Sequence, residues 1–224
     1  MRYVALGDSL TIGNAVSASE RWPNQLVTTL AAEAAKAGRK PPLELVGNLA
    51  TSDASTRDVI AVQLPQLERL RPELCSILIG FNDPWQWVGE DEYVRNLNTI
   101  LDTIEALVGA QRTFGVTSAD LTVTPFASDE DDERIPFLID AYGWRDSQFP
   151  ALLSLISTQV RARNTFFAEV LGAREIPVAD IHDVSLDAAH DRSLVAADNM
   201  HPSGRQYILW LDRIVPVVRN LLGL

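Results

Sequence analysis

The sequence predicts an α/β protein in three layers, with a central parallel sheet of about five strands between two sets of helices. Short apolar, β-branched runs alternate along its 224 residues with longer stretches whose apolar residues recur at helical spacing. Strands separated by helices pair in parallel, because each crossover returns the chain to the same end of the sheet. The polar, chemistry-bearing residues cluster just after those apolar runs, where the carboxyl ends of parallel strands gather ligands. No repeat or low-complexity linker divides the chain, and one core can grow to this length, so residues 1–224 are expected to form one domain.

The first strand is expected at about residues 2–8, where Tyr3-Val4-Ala5-Leu6 runs into Gly7-Asp8-Ser9. A helix opens at Ser19-Glu20-Arg21-Trp22-Pro23, with the proline suited to a first turn. Leu26, Leu30, Ala34 and Ala37 share one face of it, and Gly38 ends it. Leu43–Val46 reads as the second strand, and a short helix near 57–70 leads back to the third, residues 74–79. The following helix carries Tyr93, Leu97, Ile100, Leu101 and Ile104 at helical spacing, and a fourth strand is expected from Leu121 to Phe126. Residues 127–150 form an irregular insertion, too long for an ordinary connection, that is expected to pack down as a lid. Its acidic run, Asp129 to Glu133, reads as a solvated loop, since five adjacent carboxylates cannot converge on one ion from a single strand. A helix over 151–171, a last short strand at Ile176–Ala179 and a terminal helix over 204–223 complete the order.

A net charge of −11 argues against nucleic acid or an anionic membrane surface as partner. No apolar run approaches the length that spans a bilayer, so no stable membrane association is expected. The one cysteine, Cys75, excludes an intrachain disulfide, and its apolar neighbours predict a buried, unreactive thiol. No signal peptide precedes the first strand, so a cytoplasmic location is expected.

Ser9 lands at the tip of the first strand, exposed and held rigidly, as a nucleophile must be. Asp198 and His201, three positions apart just ahead of the terminal helix, can supply an orienting carboxylate and a general base. A lone serine or asparagine at a strand end is ordinarily a turn residue. What raises Ser9 and Asn82 above that reading is that the segments 48–58, 80–83 and 198–201 all fall at the same sheet edge. His182 and His190 lie in a polar stretch and read as surface or capping residues. They find no third ligand at a familiar zinc spacing, and no metal or cofactor is expected.

With Gly7-Asp8-Ser9-Leu10, Gly80-Phe81-Asn82-Asp83 and Asp198-Asn199-Met200-His201 in that order, the chain resembles the SGNH hydrolases, also called GDSL esterases and lipases. Trp22-Pro23 and Asn96-Leu97 add lesser likenesses. The resemblance implies a flavodoxin-like SGNH fold and a serine esterase with Ser9 as nucleophile, His201 as base and Asp198 as its partner. It implies an oxyanion hole made by the backbone N–H of Ser9, the Asn82 side chain and a backbone N–H in a second block. That block departs from the family, which usually reads Asn-x-Gly-x-Ser-Gly: in Asn48-Leu49-Ala50-Thr51-Ser52-Asp53, Asp53 takes the place of the last glycine. Its carboxylate is expected to turn toward solvent or Arg57, away from the developing charge.

The substrate class implied is a small-molecule ester: short acyl chains, acetylated sugars, thioesters or lysophospholipids. Trp85 and Trp87 either line the cleft for a sugar ring or acyl chain or pack beneath a loop. Two other readings stay open. One is a binding protein that kept the fold and lost catalysis; the other is an acyltransferase using the same triad.

Overall fold

A computed structural model describes residues 1–128 and 149–224. In chain order the elements are β1 (Arg2–Gly7), α1 (Ser9–Ile12), α2 (Trp22–Lys36), β2 (Glu44–Asn48), α3 (Thr56–Asp58), α4 (Leu64–Leu70), β3 (Leu74–Leu78) and α5 (Glu90–Leu107). They continue with β4 (Thr113–Val116), α6 (Phe149–Gly172), β5 (Val178–Ala179), α7 (His182–Ser185) and α8 (Gly204–Leu222). The strands form one parallel sheet in the order β2-β1-β3-β4-β5, so β1 lies inside it, with Gly7 opposite Leu78 of β3.

Successive side chains of a strand point to opposite faces, and β1 shows what that does here. Tyr3 and Ala5 join the core made with Trp22, Leu26 and Leu30 of α2 and Tyr207, Trp210 and Ile214 of α8. Val4 and Leu6 join the opposite core, made with Leu64 and Leu67 of α4, Leu97 and Ile100 of α5, and Phe167 and Leu171 of α6. Both faces are therefore covered, as an all-parallel sheet requires. Cys75 of β3 is fully buried, and burial pushes its thiol up to about 12, which leaves it unreactive.

The fourth strand is not where the sequence places it. Leu121–Val123 and Pro125–Ser128 are tight 3₁₀ turns, and β4 is instead Thr113–Val116, fully buried. Asp120 starts the first turn by accepting the Thr122 N–H at 3.0 Å, a side-chain bond that competes with a ladder. The lid expected at about 127–150 falls almost wholly outside the described residues, as do the acidic run and Phe137, Tyr142 and Trp144. Among the described residues, no helix is long and apolar enough to cross a membrane.

Candidate active site

The turn after β1 is clamped at every atom that matters. Gly7 is held on both sides by the buried Gln63 amide, which accepts the Gly7 N–H at 3.0 Å and donates to the Gly7 carbonyl at 2.7 Å. Asp8 caps α1 by accepting the Leu10 N–H at 2.9 Å. Ser9 is the first residue of that helical turn and, at 3% exposed, is buried rather than exposed as the sequence suggests, because the turn folds it in behind the Asp8 cap. Asp8 is itself fully buried; burial, reinforced by the nearby Asp83 and Asp53 charges, pushes its carboxyl up to about 8, against the pull of the Leu10 hydrogen bond.

The second block is laced to this turn. Asn48 Nδ2 donates to the Thr11 carbonyl at 2.9 Å, and Ser52 Oγ donates to Asn14 Oδ1 at 2.8 Å. Asp53 sits at φ +60°, in the left-handed region that favours glycine and that aspartate tolerates better than most residues. Its side chain is exposed. Arg57 does not receive it: the guanidinium is taken by Glu92, at 2.6 and 2.8 Å, and by the Gln86 carbonyl. Of the two expected directions only solvent remains. Asp53 Cα is held from the other side, since Gln86 Nε2 donates to its carbonyl at 2.5 Å.

Asn82 is 8% exposed, and its Nδ2 donates one hydrogen to the Ala54 carbonyl at 3.1 Å, leaving the second N–H of the amide for another acceptor. Asp83 underpins it, accepting from Thr56 Oγ1 at 2.5 Å and from the Thr56 N–H at 3.2 Å, while Asn96 Nδ2 donates to Thr56 Oγ1 at 3.0 Å. Trp85 is half-buried against the α2–α8 core, and Trp87, at φ +57°, is 65% exposed.

The Asp198–His201 loop is a tight turn closed by the Ala196 N–H donating to the His201 carbonyl at 2.8 Å and by a bridge between Val195 and Pro202. Asn199 at its tip takes φ +64°. One oxygen of Asp198 accepts the N–H groups of Met200 and His201 at 3.1 and 3.0 Å; the other meets His201 Nδ1 at 2.5 Å. Burial works against the Asp198 charge, but these bonds, led by the one from His201, hold its carboxyl below the usual range. The loop reaches the Ser9 turn through the first turns of α8: the Tyr207 hydroxyl donates to the Leu10 carbonyl at 3.0 Å. Burial first, then the charges of Asp8 and Asp198, raise that hydroxyl above its ordinary range. Ser9 and His201 make no hydrogen bond to each other in the structure. Such contacts often close only with substrate bound.

Two findings escaped sequence reading. Gln63 follows Val59 and precedes Leu67 at intervals of four, so a polar residue on an apolar helical face was the available signal. His182 is not a surface residue: it is 7% exposed, because Asp180 caps its turn inward and Asn164 receives its ring. Asn164 Oδ1 accepts the Ser118 N–H, so its Nδ2 is the donor, to the Ser118 carbonyl at 2.9 Å and toward His182 Nδ1 at 3.2 Å; that ring nitrogen also lies 3.4 Å from the Ser118 carbonyl. His190 is exposed as expected. Among the described residues, no cluster of three or more His, Cys, Asp or Glu is arranged to hold a metal ion.

A model of the GDSL-like lipase/acylhydrolase family matches residues 5–208. No curated protein is similar to the chain in sequence. Among solved structures, an acetyl xylan esterase from Geobacillus stearothermophilus superposes with a TM-score of 0.67 at 15% identity, covering 99% of this chain and 94% of that one. A member of the lipolytic G-D-S-L family from Veillonella parvula gives 0.67 at 15% identity, covering 97% of each chain. The psychrotrophic esterase EstA from Pseudoalteromonas sp. gives 0.65 at 15% identity, covering 100% of this chain and 99% of that one. At such identity the likeness speaks for the fold, while the family match spans the Ser9, Asn82 and Asp198–His201 blocks. The chain belongs to the GDSL-like lipase/acylhydrolase family and is a carboxylic ester hydrolase.

Proposed function

We propose that Ser9, His201 and Asp198 are the catalytic triad of a serine esterase acting on short acyl esters, acetylated sugars among them. The observation that carries it is the His201 Nδ1–Asp198 contact of 2.5 Å, which leaves the other ring nitrogen as the base, on a loop tied to the Ser9 turn through Tyr207. Ser9 Oγ attacks the ester carbonyl carbon while His201 Nε2 takes its proton; Asp198 steadies the imidazolium. The oxyanion is received by the Ser9 N–H, the second N–H of Asn82 and the Asp53 N–H, each donor worth about 10²–10³ in turnover. The alcohol leaves with the proton from His201, and water repeats the sequence on the acyl-enzyme. Trp87 offers an exposed indole face for a sugar ring or acyl chain, with Trp85 behind it. The acetyl ester preference is supported by the esterase activity named for the Geobacillus neighbour.

The test is covalent. A fluorophosphonate should add to Ser9 alone, read by peptide mass, and the labelled enzyme should lose hydrolysis of an acetyl ester; an adduct elsewhere, or none, would sink the triad.

The backbone-donor role of Asp53 makes its own prediction. Asp53→Gly keeps the N–H, removes a carboxylate, and relieves a left-handed conformation that costs a non-glycine residue on the order of 1 kcal/mol. Turnover should be unchanged or modestly higher, with a slightly raised Tm. A fall in kcat of a hundredfold or more, with folding intact, would show that the carboxylate itself is needed.

A further inference from the structure

Arg163, on α6, is 4% exposed, yet among the described residues no carboxylate pairs with it directly. Its Nη2 donates to the Val88 carbonyl at 2.7 Å, and its guanidinium carbon lies 5.1 Å from the centre of the Tyr93 ring. A buried guanidinium is costly unless its charge is answered, and here the answer lies in the loop between β3 and α5. Tyr93 donates to the Ile79 carbonyl at 3.3 Å and fills the space where a side chain at Gly80 would stand, 2.9 Å from its hydroxyl. Val88 closes the same loop, its N–H donating to the Asp83 carbonyl at 2.9 Å. The Arg163 charge acts on Asp83.

We infer that Arg163 is a positioning residue of the reaction: its buried guanidinium, bonded to the Val88 carbonyl and seated over the Tyr93 ring, fixes the loop, closed by the Val88 N–H on the Asp83 carbonyl, that presents Asn82 to the oxyanion. The inference rests on the proposed esterase mechanism. Asp83 works as an acceptor, taking three contacts from Thr56 and so holding the segment whose Ala54 carbonyl receives Asn82 and whose Asp53 contributes the neighbouring N–H. A proton on Asp83 removes part of that accepting capacity and loosens both donors together. Burial raises its carboxyl above the ordinary range; the Thr56 bonds, then the charges of Arg163 and Arg57, pull it back. Four charged or titratable groups bear electrostatically on Asp83: Arg163 from α6, Arg57 from α3, Tyr93 from α5, and Asp8 from the β1–α1 turn. Asp8 opposes the charge, and Arg57 is exposed and already bound on two nitrogens by Glu92. Arg163 is the buried cation of the set.

The measurement is kcat and KM for 4-nitrophenyl acetate between about pH 5 and about pH 9, for wild type, Arg163→Gln, Arg163→Lys, Asp83→Asn and the Arg163→Gln/Asp83→Asn double variant. Arg163→Gln should lower kcat about 10- to 100-fold near pH 6, the scale of a small misplacement of catalytic groups, with KM changed less than about threefold. The deficit should shrink toward pH 9, because Asp83 without its cation needs a higher pH to ionise, so the acid limb moves up. Arg163→Lys should keep the limb where the wild type has it. In the Asp83→Asn background, Arg163→Gln should cost less than about threefold more. A uniform deficit at every pH, a moved limb in Arg163→Lys, or simple additivity in the double variant would each overturn the inference. The Lys variant decides even where the Gln variant does not fold. Fluorophosphonate labelling of wild-type Ser9 keeps the two levels apart: an unlabelled wild type fails the triad, a labelled one with unmoved limbs fails only Arg163.

Discussion

Replacing Ser9 by alanine is expected to lower kcat by about 10⁴- to 10⁶-fold and to leave the fold in place. Among the described residues its hydroxyl makes no hydrogen bond, so truncation removes the proposed nucleophile and nothing structural. His201→Ala should match it, and the double variant should lie within about tenfold of either single one, because members of a triad act as a unit. Asp198→Ala should be milder, about 10⁴-fold, since His201 keeps its basic nitrogen and loses orientation. Residual rates of about 10³–10⁴ over water would then report the oxyanion hole alone. The measurement is turnover of an acetyl ester by protein freed of contaminating esterase, and near wild-type turnover by Ser9→Ala would falsify the mechanism.

Gly7→Ala should give the largest loss of stability of any conservative change near the site. A Cβ at Gly7 would stand 2.4 Å from the Leu78 carbonyl oxygen and 2.6 Å from Thr11 Oγ1, at φ +151°. The carbonyl is backbone of the neighbouring strand and cannot swing aside as a side-chain end does. Overpacking of this kind costs about 1–3 kcal/mol, and a backbone conformation foreign to alanine adds about as much. With about 2–4 °C lost per kcal/mol for a chain of this size, Tm should fall by about 10 °C or more. Activity should fall too, because the Gln63 clamp on Gly7 sets the direction in which Ser9 leaves the strand. A drop of under about 2 °C would mean that β1 and β3 separate there more easily than a central pair should.

The parts of the fold that were legible were those where one physical signal dominates. The α5 face was read from period alone, and the helix ends at Pro23 and Gly38 from backbone chemistry. The fourth strand was misplaced because Leu121-Thr122-Val123 has the composition of a strand, while β4 is four residues long and contains Gly115. That glycine weakens a strand in isolation, and only the tertiary structure explains it: a Cβ there would lie 2.4 Å from Leu171 and 2.5 Å from Phe167 of α6. The turns that carry Ser9, Asp198 and His201 were legible because each block has its own turn chemistry, as the Asp198 bonds to Met200 and His201 illustrate. The Arg57–Glu92 pair and the burial of His182 were not, since both depend on which side chains distant elements bring together.

The bond from Tyr207 to Leu10 spans 197 residues of sequence, and it bears on the order of folding. Inside the sheet β1 has neighbours only once β2 and β3 are in place, and its α2-side core waits for α8. Contacts so remote in sequence are slow to form, because loop closure must come before they stabilise anything. The turn that carries Ser9 and the loop that carries His201 are therefore joined late in folding. The Ser9 turn is tied down only when α8 docks against it through Tyr207.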